Sequence, residues 1–119
     1  MLVDRVRWYA LPHGSAPTAE GRPTRCHVKG KHLVLVRWHG TLHALEEKCP
    51  YHGASLSGGR VSEGCIVCPR HLHRYDLLTG RGQQPDGGNA AVYPVQERSN
   101  GVYIGFTVIT LSIFGRDLW

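Results

Sequence analysis

The sequence predicts an all-β fold, on three observations. Fifteen glycines and seven prolines punctuate 119 residues at short intervals, the pattern of short strands joined by tight turns. The apolar segments are strand-sized and several are rich in β-branched residues. No stretch sustains the 3.6-residue apolar period of a long helix. The length suits one domain with a modest core, and 41% hydrophobic against 19% charged residues excludes a disordered chain.

In chain order, Arg5 to Leu11 reads as a strand closed by a loop at Pro12, Gly14, Ser15 and Pro17. Thr24 to Lys29 follows, turning at Lys29-Gly30-Lys31 into His32 to Trp38, a run that reads as a buried strand. His39-Gly40 makes a tight hairpin into Thr41 to Glu46. From Cys49 to Gly80 the composition changes to Cys, His, Gly, Pro and Ser. Such a segment buries too little carbon to fold by itself, and a metal centre is expected to organise it. After the polar loop Arg81 to Asn89, strands return at Ala91 to Arg98 and Val102 to Ile109, about the hairpin signal Ser99-Asn100-Gly101. Strands on both sides make residues 47–80 a subdomain inserted in a single domain, 1–119. The apolar run Phe106 to Phe114, with Trp119, reads as a last strand followed by a docking tail over about 107–119.

The net charge of +5 comes from scattered cations with no run of five. No helix-turn-helix or RNA-binding signature accompanies them, so an acidic protein surface is the expected partner and nucleic acid is not. Met1 to Ala10 carries Asp4, Arg5 and Arg7 and has no apolar signal core, and no apolar run approaches the ~20 residues of a membrane span. A cytoplasmic protein without membrane contact is the expectation. In that setting the cysteines at 26, 49, 65 and 68 are read against metal chemistry rather than as disulfides.

The informative segments are Cys49-Pro50-Tyr51-His52-Gly53-Ala54-Ser55-Leu56 and Cys68-Pro69-Arg70-His71. Each offers one thiolate and one imidazole, and glycine and proline can aim backbone amides at a cofactor's sulfurs. A rival assignment takes Cys49, His52, Cys65 and Cys68 as a Cys₃His zinc site, which leaves His71 without a role. Cys26 reads as a small buried hydrophobe. The remaining histidines, 13, 27, 32, 39, 43 and 73, read as surface or hairpin residues.

Ala44, Leu45, Cys49 and Pro50, then Gly53 to Ser57, then Gly59, Val61, Gly64, Ile66, Cys68, Pro69 and His71, closed by Tyr75 to Gly80, resemble the two-loop motif of the Rieske family. Val34 to Arg37 and Tyr93-Pro94-Val95 are also similar to this family, so the resemblance spans roughly residues 5 to 106. It implies an antiparallel sandwich or incomplete barrel with a small cluster-binding subdomain. It also implies a [2Fe–2S] cluster, with Cys49 and Cys68 on the inner iron and His52 and His71 on the outer one. The function implied is that of a one-electron carrier between a reductase and a terminal oxygenase, without catalysis of its own. The alternative is a cluster-less or zinc-binding Rieske-like small subunit or interaction domain of a larger enzyme.

Three positions bear on that assignment. The family usually reads Cys-x-His in the first loop; here Tyr51 holds the histidine's place and His52 follows, so a local backbone adjustment is expected to bring His52 to the iron. Leu72 stands where relatives carry glycine. Tyr75 matches a tyrosine that in some relatives hydrogen-bonds a cysteine sulfur. Ala54 and Arg70 occupy the places of the extra disulfide of respiratory-chain relatives, which favours the low-potential ferredoxin-like class.

Overall fold

The computed structural model describes residues 2–51, 53–70, 72–85, 88–113 and 116–117; for 2–4, 109–113 and 116–117 it describes the backbone alone. Strands β1 (Leu2–Ala10), β2 (Thr24–Val28), β3 (Lys31–Trp38) and β4 (Thr41–Glu46) precede the cysteine-bearing segment, residues 47–80. That segment holds a 3₁₀ turn, Leu56–Gly58, and β5 (Arg60–Ser62), β6 (Cys65–Val67) and β7 (Arg74–Asp76). The chain closes with β8 (Val92–Tyr93), β9 (Val95–Arg98), β10 (Gly101–Ile113) and β11 (Arg116–Asp117). Among the described residues there is no α-helix.

The strands form three antiparallel sheets: β10 paired with β1, β9 and β11; β2-β3-β4-β8; and β5-β6-β7. The second sheet lies in the middle because β3 is apolar on both faces. Leu33 and Leu35 enter a core with Ile104 and Phe106 of the first sheet, while Val34 and Val36 enter another with Leu56, Ile66 and Tyr75. Successive strand side chains point to opposite faces, so a run of four buried residues stitches both cores together. β4 repeats this, with Leu42 and Ala44 on one side and Leu45 on the other.

The turns expected at Lys29-Gly30-Lys31 and at His39-Gly40 form, each as a two-residue connection. Lys29-Gly30 has φ of 49° and 79°, and His39-Gly40 has 50° and 77°, the left-handed pair that matches strand twist in a hairpin. The stretch read as one strand, Ala91 to Arg98, is two. Pro94 has no N–H to give a ladder, and the chain passes there from pairing with β4 to pairing with β10. β10 runs past Ile109 to Ile113, with partners on β1 as far as Leu2. Much of the segment assigned to a tail is therefore strand; Phe114, Gly115, Leu118 and Trp119 lie outside the described residues.

Residues 60–76, read without regular structure, form a sheet of their own. Its strands are three residues long, too short to display an alternation. The segment also carries core: Leu56, Ile66 and Tyr75 have no exposed surface and Leu77 has 3%. Apolar packing therefore contributes to its organisation alongside any metal.

Candidate metal centre

Cys49 and Cys68 sit at the bases of two loops built alike. In the first, the Cys49 N–H donates to the Ala54 carbonyl at 2.7 Å and the Gly53 N–H donates back to the Cys49 carbonyl at 2.8 Å. In the second, the Cys68 N–H donates to the His73 carbonyl at 2.8 Å and the Leu72 N–H to the Cys68 carbonyl at 3.1 Å. The residue four places after each cysteine is left-handed, Gly53 at φ 74° and Leu72 at φ 58°. Left-handed backbone there lets the chain reverse over a Cys-Pro-x-His span.

Neither cysteine is in a disulfide, and both are almost wholly buried, 1% exposed at Cys49 and 0% at Cys68, within one core cluster. The tips above them face solvent: Pro50, Tyr51, Pro69, Arg70 and Leu72 are exposed. The Tyr75 hydroxyl lies 3.5 Å from Cys49 Sγ, with Tyr75 fully buried. Two buried thiols and a hydroxyl beneath two polar loops fit a cluster held by thiolates inside and imidazoles outside. His52 and His71 themselves lie outside the described residues. The Tyr51 ring is stacked on His73, centroids 4.4 Å apart.

Cys65 does not join this site. It precedes Ile66 on β6, and alternation turns Ile66 and Cys68 toward one core and Cys65 away from it. Among the described residues no group of three or more potential metal-ligating side chains occurs, which leaves the Cys₃His arrangement without its third thiol. Cys26 is buried in the other core, and burial pushes its thiol pKa up.

Two carboxylates order this segment, one at the first loop and one at the turn after β7, and the sequence reading singled out neither. Glu47 Oε1 accepts from Arg25 Nε at 2.7 Å, from Ser57 Oγ at 3.1 Å and from Ser55 Oγ. Burial pushes its pKa up, but these donors and the Arg25 charge outweigh that and hold it below the usual carboxylate value. Glu47 thus ties the exit of the first loop to β2. Asp76 Oδ1 accepts the Leu78 and Thr79 N–H groups at 2.8 and 2.9 Å, shaping the turn after β7, and those bonds lower its pKa. A carboxylate two residues before Cys49, with serines at 55 and 57, is the signal that could have found the first. Aspartate opening a turn could have found the second.

A family model for the Rieske [2Fe-2S] domain matches residues 7–94 of this chain. The ferredoxin component of a naphthalene 1,2-dioxygenase system from Pseudomonas aeruginosa is 32% identical over 103 residues, covering 86% of this chain and 92% of the relative. The ferredoxin component of an alkene monooxygenase system from Xanthobacter autotrophicus is 30% identical over 78 residues, 64% of each chain. Among solved structures, the ferredoxin of carbazole 1,9a-dioxygenase from Nocardioides aromaticivorans superposes with a TM-score of 0.68 at 27% identity, over 72% of this chain and 86% of that one.

Proposed function

The chain belongs to the Rieske [2Fe-2S] domain family, and from that premise we propose that Cys49, His52, Cys68 and His71 hold its cluster and that it is the ferredoxin of an oxygenase system. It carries electrons and is not itself a catalyst; a reductase supplies them and a terminal oxygenase takes them. The observation that carries the ligand set is the matched pair of loops, each with a buried cysteine at its base and a histidine three residues on. The equal spacing supports His52 rather than Tyr51 as the first-loop imidazole, since His52 and His71 hold the same place before a left-handed fifth residue. Tyr51 is accounted for by its stack on His73. The cytoplasm is the proposed location.

A bound cluster supplies reversible one-electron storage, at a potential raised by its two neutral imidazoles. The chain does the rest. Burial of Cys49 and Cys68 keeps water from the thiolates, and the Tyr75 hydroxyl, 3.5 Å from Cys49 Sγ, would donate to a Cys49 thiolate and favour the more negative state. The exposed tips keep the path to a partner short. Glu47 ties the first loop to β2 of the central sheet, and Asp76 shapes the turn after β7.

Iron and zinc analysis with visible and EPR spectra of anaerobically purified protein tests this reading. About two irons per chain, with the spectrum of a mixed thiolate–imidazole cluster, is the expected result. His52→Ala should abolish that spectrum and Tyr51→Phe should preserve it. Zinc without a visible band would sink the electron-carrier reading, and loss of the cluster in Tyr51→Phe alone would overturn the assignment of His52.

A further inference from the structure

Besides Tyr51 against Arg70, the two loops differ at their fifth residue. The fifth residue of each is left-handed: glycine at 53, which takes that conformation freely, and leucine at 72, whose Cβ then crowds the following carbonyl oxygen. Burial does not compensate for this, because Leu72 is 62% exposed. Exposure alone would mean little, since single apolar residues are common on surfaces. Leu78 is 74% exposed, but it is not among the residues with positive φ. Leu72 combines an unfavourable backbone with a wasted apolar side chain beside the proposed ligand His71, and outliers of that kind concentrate where binding requires them.

The surroundings define what it fits. No aspartate or glutamate occurs from Lys48 to Ser62 or from Gly64 to Tyr75, whereas Lys48 and Arg70 are exposed. Tyr51, 36% exposed, stacks on His73 next to Leu72 and extends the apolar surface. The tip is an apolar knob on a loop that carries Arg70 and no carboxylate.

We propose that Leu72 is the docking residue for the terminal oxygenase, seating in an apolar socket edged by carboxylates on that protein. The inference rests on the ferredoxin reading above, and the oxygenase is the partner because the ferredoxin relatives belong to oxygenase systems. Leu72 specifies a partner at the expense of local backbone comfort; it does not hold the cluster.

Leu72→Gly and Leu72→Met test this in cluster-loaded protein, with the dissociation constant for the oxygenase whose turnover the protein supports measured by titration calorimetry. Leu72→Gly should weaken binding about tenfold and raise the oxygenase KM in step, because part of a leucine's transfer free energy is lost. Its thermal midpoint should hold or rise, as relief of the left-handed strain meets the added unfolded-state entropy of glycine. Leu72→Met, still apolar, should keep binding within about twofold. Visible spectrum and reduction by dithionite should match wild type in both. Unchanged oxygenase affinity in Leu72→Gly, or a midpoint several degrees lower, would overturn the proposal. Failure of the ferredoxin reading would show earlier and separately, as wild-type protein without the visible band.

Discussion

Glu47→Ala is the perturbation whose outcome the geometry specifies most closely. Glu47 is 7% exposed, and its Oε1 collects donors from Arg25, Ser55 and Ser57. Removing the carboxylate strands the two half-buried serine hydroxyls, at about 1 kcal/mol each after they bond to one another as they already do at 2.6 Å. The Arg25 side chain is 66% exposed and returns to water, adding under about 1 kcal/mol. The total is about 2–3 kcal/mol, or about 8–12 °C in the thermal midpoint of a domain this size. The pH dependence has a definite sign. A carboxylate whose folded pKa lies below its unfolded value stabilises the fold above the unfolded value, and stops doing so as pH falls through the folded one. Wild type should therefore lose this contribution on acidification below about pH 4.5, and Glu47→Gln should show a shallower acid limb. Urea unfolding at pH 7 and pH 4 measures both effects. A Glu47→Ala protein within about 0.5 kcal/mol of wild type at pH 7, with the same acid slope, would refute the brace.

Tyr75→Phe removes the hydroxyl 3.5 Å from Cys49 Sγ; losing about 1 kcal/mol of preference for the reduced state lowers the reduction potential by about 40 mV, read by spectroelectrochemical titration. His43→Gln should flatten the pH dependence of stability between neutrality and about pH 5. Burial depresses the His43 pKa against the pull of Asp76 and the Leu77 carbonyl, so protonation below its unfolded value of about 6.5 opposes folding in wild type. Gly80→Ala places a Cβ 1.9 Å from the Ala90 carbonyl oxygen at φ 75°, and should cost about 3 kcal/mol by denaturant titration. Stripping the metal with a chelator should speed hydrogen exchange at the loop amides of Gly53 and Leu72 while leaving β3, buried on both faces, as slow as before.

How much was legible in the sequence depended on the length of each pattern. The β2–β3 and β3–β4 hairpins were readable because β-branched runs flank Lys29-Gly30 and His39-Gly40, where the second residue accepts positive φ without cost. The cysteine-histidine pairs were readable because ligand chemistry admits few residue types. β5, β6 and β7 were not, because a three-residue strand completes barely one alternation. The break at Pro94 was present in the letters, yet its meaning, a change of sheet, depends on β4 and β10 lying on either side. Glu47 was hidden for another reason: in the charged run Glu46-Glu47-Lys48 a glutamate reads as surface until Arg25, Ser55 and Ser57 are brought to it by the fold.

The metal-site segment shows how two sources of order share one length of chain. Leu56, Ile66, Tyr75 and Leu77 pack with Val34, Val36 and Leu45 of the central sheet, and Cys49 and Cys68 belong to the same cluster. The floor of the site is thus an extension of the hydrophobic core, fixed by burial whatever the loops hold. Above it, Pro50, Tyr51, Pro69, Arg70 and Leu72 are exposed and little apolar area remains to hold them. Ligands there cost little to rearrange, so the tips could vary in sequence, as at Tyr51 and Leu72, while the buried thiols and Tyr75 stay constrained by packing. The buried thiols and Tyr75 are thus held by packing whatever the exposed tips carry.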